Sequence, residues 1–114
     1  MREVIGECET LYGAARAFLY AAASEFWAGL EAGMPAVEVK GRLALANVNA
    51  FRMAAEVTRK LFDMTGAHAV FEGNPLERLA RDALTLNQHM IIARPAFATY
   101  GAMMLGEEHP SPLY

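Results

Sequence analysis

One cysteine, Cys8, stands among 114 residues, so no internal disulfide can form and a reducing, cytoplasmic setting is expected. Positive charge is also scarce. Ten Lys and Arg against thirteen Asp and Glu leave a formal net charge of −3, and only Arg59-Lys60 places two cations side by side. Nucleic acid is therefore not an expected partner, because displacing counterions from phosphates needs a clustered positive surface. Long apolar runs are missing too. The uncharged stretches Ala17 to Ser24 and Pro95 to Gly106 fall well short of the ~20 residues that span a bilayer, so no membrane partner is expected. The opening run MREVIGECETLYG carries acids where an export signal would carry its apolar core, and no export signal is expected.

Several chemical signatures are absent. A carboxylate-bridged di-iron bundle needs Glu-x-x-His pairs, yet Thr65, Leu86 and Gly106 stand three residues before His68, His89 and His109. One cysteine and three scattered histidines have no zinc-ligand spacing, and no metal is expected. Neither GxxxxGK[ST] nor a strand-led GxGxxG occurs. Ser24, Ser111 and Cys8 have no histidine nearby in sequence to activate them.

What remains is 54% hydrophobic and helical in period. From Glu3 to Ala32, Leu11, Ala15, Phe18, Ala22, Phe26 and Leu30 recur at three- and four-residue steps, and Tyr12, Leu19, Ala23 and Trp27 add a second stripe. Gly33 suits a left-handed cap, and Pro35 suits the start of a second helix running from Ala36 to Thr65. That helix again has two apolar stripes, one through Leu43, Ala50, Ala54, Val57, Leu61 and Met64, the other through Leu45, Val48, Ala55 and Phe62. It therefore needs neighbours on more than one side. After Gly66, Asn74 reads as an N-cap and Pro75 as the first residue of a third helix reaching Ile92. Arg94-Pro95 breaks the pattern, and a short fourth helix ends at Gly106. No window alternates as a half-buried strand does. The expected fold is all-α, an antiparallel helical bundle of three to four helices forming one domain over residues 1–114, with 107–114 a loose tail. The doubled apolar faces of the first two helices predict self-association into a homo-oligomer.

Polarity concentrates in GNPLERLARDALTLNQH, residues 73–89. On a continuous helix Arg78, Asp82, Thr85 and His89 fall within roughly 60° of one another, a polar stripe with His89 at its far end. Arg78 and Asp82 are one turn apart and can pair, and Arg81-Asp82 offers either arginine a carboxylate partner. These residues read first as a structural ion-pair group. His89, among Leu86, Met90 and Ile91, is either a satisfied structural histidine or an imidazole lining a cleft.

Taken together, AARAFLYAAASEFW (14–27), the run from Arg42 to His89, and YGAMMLG (100–106) resemble the C-terminal helical domain of the acyl-CoA dehydrogenase superfamily. Within it, the flavin-dependent monooxygenase branch of two-component hydroxylases and desulfurisation-type oxygenases is the more similar. The most specific element is G-A-x-A-V-[FY], a gap, P-L-x-R, then R-D two residues on, with Q-H closing seven residues after the aspartate. The resemblance implies a bundle that packs on an N-terminal helical domain and a middle β-domain, both missing here. Such a bundle contributes part of the flavin site and the oligomer core. By the same likeness, Gly66, Ala67 and His68 would contact FAD or FMN, Arg81 and Asp82 would be architectural, and His89 would face flavin and substrate as the candidate catalytic residue. A flavin reductase would be a further partner.

This sequence departs from the family pattern in places. Thr65 takes the first position of a turn that often has two glycines, His68 stands where a small residue is usual, and Leu84 replaces a polar residue after the aspartate. Many dehydrogenases of the superfamily carry a glutamate base after the Arg-Asp helix, whereas no carboxylate occurs between Asp82 and Gly106. The expected role is thus the C-terminal piece of a longer flavoprotein, oxygenase chemistry favoured, the isolated chain being inactive. The alternatives are a stand-alone, non-catalytic helical association module and an acyl-CoA dehydrogenase proper.

Overall fold

A computed structural model describes residues 1–66, 75–89 and 95–107. Four helices occur in them: α1 (Arg2–Glu31), α2 (Ala36–Thr65), α3 (Pro75–Leu86) and α4 (Pro95–Met104), with no strand among the described residues. The chain is an all-α helical bundle organised around α2. Among the described residues, α1, α3 and α4 all pack on α2 and none packs on another. The two stripes expected on the second helix have this cause: a helix covered from three sides must be apolar over most of its circumference.

The α1–α2 hairpin turns where Gly33 adopts φ 82°, and the Gly33 and Met34 N–H groups donate to the carbonyls of Leu30 and Gly29. Pro35 precedes α2 in an extended conformation rather than opening it, at φ −59°, ψ 136°. Antiparallel register is fixed by paired contacts along the hairpin: Lys60 to Glu7 at 2.9 Å, Arg42 to Glu25 at 2.8 Å, and Gly29 against Val39. The α1 side of this seam is built from small residues one heptad apart, Cys8, Ala15, Ala22 and Gly29. Cys8, Ala15 and Ala22 are buried, and a Cβ built on Gly29 would lie 2.7 Å from a Val39 methyl. Small side chains let the two backbones approach closely, and Ala46, Val48 and Ala55 are the buried residues of α2 among those described.

The second stripe of α1 faces outward only in part: Leu19 is half-buried, while Tyr12 and Trp27, with Tyr20 beside them, are exposed. Tyr12, Tyr20 and Trp27 are 52%, 59% and 64% exposed. Arg16 covers part of this face, its guanidinium 4.9 Å from the Tyr20 ring centre and donating to the Tyr12 hydroxyl.

At the N-terminal half of α2, α4 packs with Tyr100 buried against Gly41, and further along Arg52 stacks over Phe97. Chain order therefore runs opposite in α4 and α2. Pro95 opens α4, where a missing N–H costs nothing, and Gly106 at φ 75° follows its end. The tail beyond Glu107, expected to be loose, lies outside the described residues.

Helix α3 is shorter than its periodicity suggests. It stops at Leu86 rather than near Ile92, and its last amides tighten: Gln88 N–H donates to Thr85 and His89 N–H to Leu86, both spans of three residues. Asn87 and Gln88 turn the chain out of the helix, and residues 90–94, with the apolar Met90 to Ile92, lie outside the described residues. The expected N-cap Asn74 lies outside the described residues.

Candidate functional site

The polar cluster of α3 is mainly a set of exposed intrahelical pairs. Arg81 donates to Glu77 at 2.8 Å, while Arg78 reaches Asp82 only at 3.8 Å, with side chains of Arg81 and Asp82 69% and 60% exposed. The expected Arg81–Asp82 partnership is therefore corrected. Adjacent residues on a helix point about 100° apart, and each charge instead finds its partner four residues away. Thr85 donates its hydroxyl to the Arg81 carbonyl.

His89 does not continue this stripe. It lies three residues past the end of α3, exposed, after a tightened turn whose rotation per residue differs from that of an α-helix. Beside it, the Asn87 side-chain oxygen is buried with no hydrogen-bond partner among the described residues, and nothing in the residue pattern singles it out. Gly66 sits elsewhere, at the C-terminal end of α2, with its N–H donating to Phe62. Its φ of 57° needs glycine, and among the described residues nothing lies within 4 Å of where a Cβ would stand. Ala67 and His68, the other expected cofactor contacts, lie outside the described residues. Of the candidate residues that are described, Gly66 stands at the end of α2 and His89 past the end of α3.

Helices α2 and α3 form an open groove of about 240 Å³ between them. Ala55, Phe62, Ala80 and Leu84 give it apolar walls, with Arg59 and Arg81 on its margin. Arg59 is held by both its neighbours along α2, donating to Glu56 at 2.7 Å and Asp63 at 2.9 Å. The hydrogen bond from Arg59 holds the Glu56 carboxyl below the ordinary glutamate range, against a smaller opposing effect of desolvation. The Glu56-x-x-Arg59-x-x-x-Asp63 spacing is the sequence signal for this clamp, and the adjacency of Arg59 and Lys60 draws attention away from it. Among the described residues no group of three His, Cys, Asp or Glu side chains could hold a metal. No described helix is long and apolar enough to cross a membrane.

Comparison with known proteins decides what kind of bundle this is. The family of the acyl-CoA dehydrogenase C-terminal domain matches residues 2–94, which take in α1, α2 and α3 whole. The chain belongs to this family. An indole-3-acetate monooxygenase of Pseudomonas putida is 32% identical over 111 residues, covering 96% of this chain and 28% of that protein. Another of the same name, from Acinetobacter baumannii, is 28% identical over 109 residues, covering 95% of this chain and 28% of its own length. The chain therefore spans about 28% of the length of these curated relatives. Among acyl-CoA dehydrogenase-like domains, its similarity extends to proteins named as monooxygenases, as the motifs around Gly66 and His89 led one to expect.

Proposed function

We propose that the chain is the C-terminal helical part of a longer flavin-dependent oxidoreductase of the oxygenase kind, in which it completes a flavin site and forms part of a homo-oligomer core. The observation that carries this reading is the alignment of 96% of the chain with little more than a quarter of a monooxygenase. The remaining length of such a protein is where an N-terminal helical domain and a β-domain would lie. Support for self-association comes from the aromatic face of α1, since exposed patches of this kind mark interfaces.

The residues present fit one wall of a flavin site. Gly66 is exposed, free of a Cβ and open on its outer side among the described residues, so another group can approach the backbone there closely. Gly66, with Ala67 and His68 after it, would hold the FAD or FMN edge. When bound, the reduced flavin supplies the electrons for oxygen activation, and a flavin reductase is the partner that would deliver it. His89 is exposed and can donate or accept a hydrogen bond, so its role is to orient the reacting group. With no carboxylate among residues 83–105, no acid in that stretch can take an α-proton, which disfavours dehydrogenase chemistry.

The test starts from the DNA upstream of Met1. A reading frame continuing in phase supplies the longer protein, whose oxygen consumption with reduced flavin is then compared between wild type and His89→Ala. Coupled substrate oxygenation should fall about tenfold or more, or peroxide release should rise to match, as expected on removing a positioned hydrogen-bonding group. Unchanged coupling in a folded His89→Ala enzyme would remove His89 from the chemistry. Flavin bound stoichiometrically by the 114-residue chain alone would refute the single-wall account.

A further inference from the structure

No further inference is drawn: the strongest candidate, the apolar groove of about 380 Å³ between α1 and α2 that Tyr12, Leu19, Tyr20, Ala50 and Met53 line, carries no proposal because its cation Arg16 already engages Tyr12 and Tyr20 and nothing in the structure shows what covers it.

Discussion

Replacing Gly29 with alanine tests the close α1–α2 seam at the point where two local effects oppose each other. Alanine favours a helix interior over glycine by about 1 kcal/mol, so in open surroundings the change stabilises. At Gly29 the added methyl would lie 2.7 Å from one Val39 methyl carbon and 3.3 Å from the Val39 Cβ. Val39 is β-branched and confined to one favoured rotamer in a helix, so relief requires the helices to part near their turn. Overpacking of this kind costs about 1–3 kcal/mol, which exceeds the propensity gain over most of its range. Gly13 supplies the control: it lies on the same helix, and among the described residues no atom comes within 4 Å of where its added methyl would stand. Gly13→Ala should raise stability by about 1 kcal/mol, and Gly29→Ala should lie about 2 kcal/mol below it. Urea unfolding followed by helical circular dichroism measures both, with Val39→Ala added to Gly29→Ala as a rescue. If Gly29→Ala stabilises as much as Gly13→Ala, the seam is not closely packed and the small heptad residues have another explanation.

Asp82→Ala should cost no more than about 0.5 kcal/mol in urea unfolding, because the pair with Arg78 is long and solvent-exposed. A loss of several times that would restore an architectural role. For Glu56, the folded-state pKa is lowered by the Arg59 hydrogen bond, so its stabilising contribution is present above the unfolded glutamate pKa and is lost as pH falls through the folded one. The stability difference between wild type and Glu56→Gln should therefore be constant near neutrality and shrink in acid, as pH-dependent thermal melts would show; a difference growing in acid would reverse the sign. Sedimentation of the chain at micromolar concentration should give a species larger than the 12.4 kDa monomer, and Tyr20→Glu with Trp27→Glu should reduce it. A monomeric wild type would contradict the reading of the α1 aromatic face.

Much of the fold was legible because three kinds of signal agreed. The apolar period marked each helix, and glycines at 33, 66 and 106 marked three ends, each now seen at positive φ. Pro35, Pro75 and Pro95 marked starts, although Pro35 precedes its helix instead of opening it. The end of α3 was not legible. Leu86, Met90 and Ile91 sustain an apolar pattern that says nothing about backbone hydrogen bonding, and the switch to three-residue spans at Gln88 and His89 leaves no mark on that pattern. Pairing was hidden for a related reason. Arg81 and Asp82 are neighbours in sequence, but on a helix the relevant neighbour is one turn away, and Glu77 stands at that distance.

The early end of α3 changes how His89 can be used. A histidine held on a helix face inherits its backbone direction from the whole helix, whereas His89 follows a turn in which the Gln88 and His89 amides donate over three residues. Asn87 and Gln88 lie in that turn, and the buried side-chain oxygen of Asn87 has no donor among the described residues. Leaving such an acceptor unsatisfied costs about 1–3 kcal/mol, so a segment or ligand that brings a donor there would stabilise this turn over competing ones. The residue to vary alongside His89 in the longer enzyme is accordingly Asn87. Asn87→Leu removes the unsatisfied acceptor and should leave the isolated chain as stable as before or more so, by urea unfolding. In the longer enzyme the same change should lower coupling without abolishing oxygen consumption. If Asn87→Leu destabilises the isolated chain as strongly as losing a satisfied buried hydrogen bond, the oxygen already has its donor and the turn is complete as it stands.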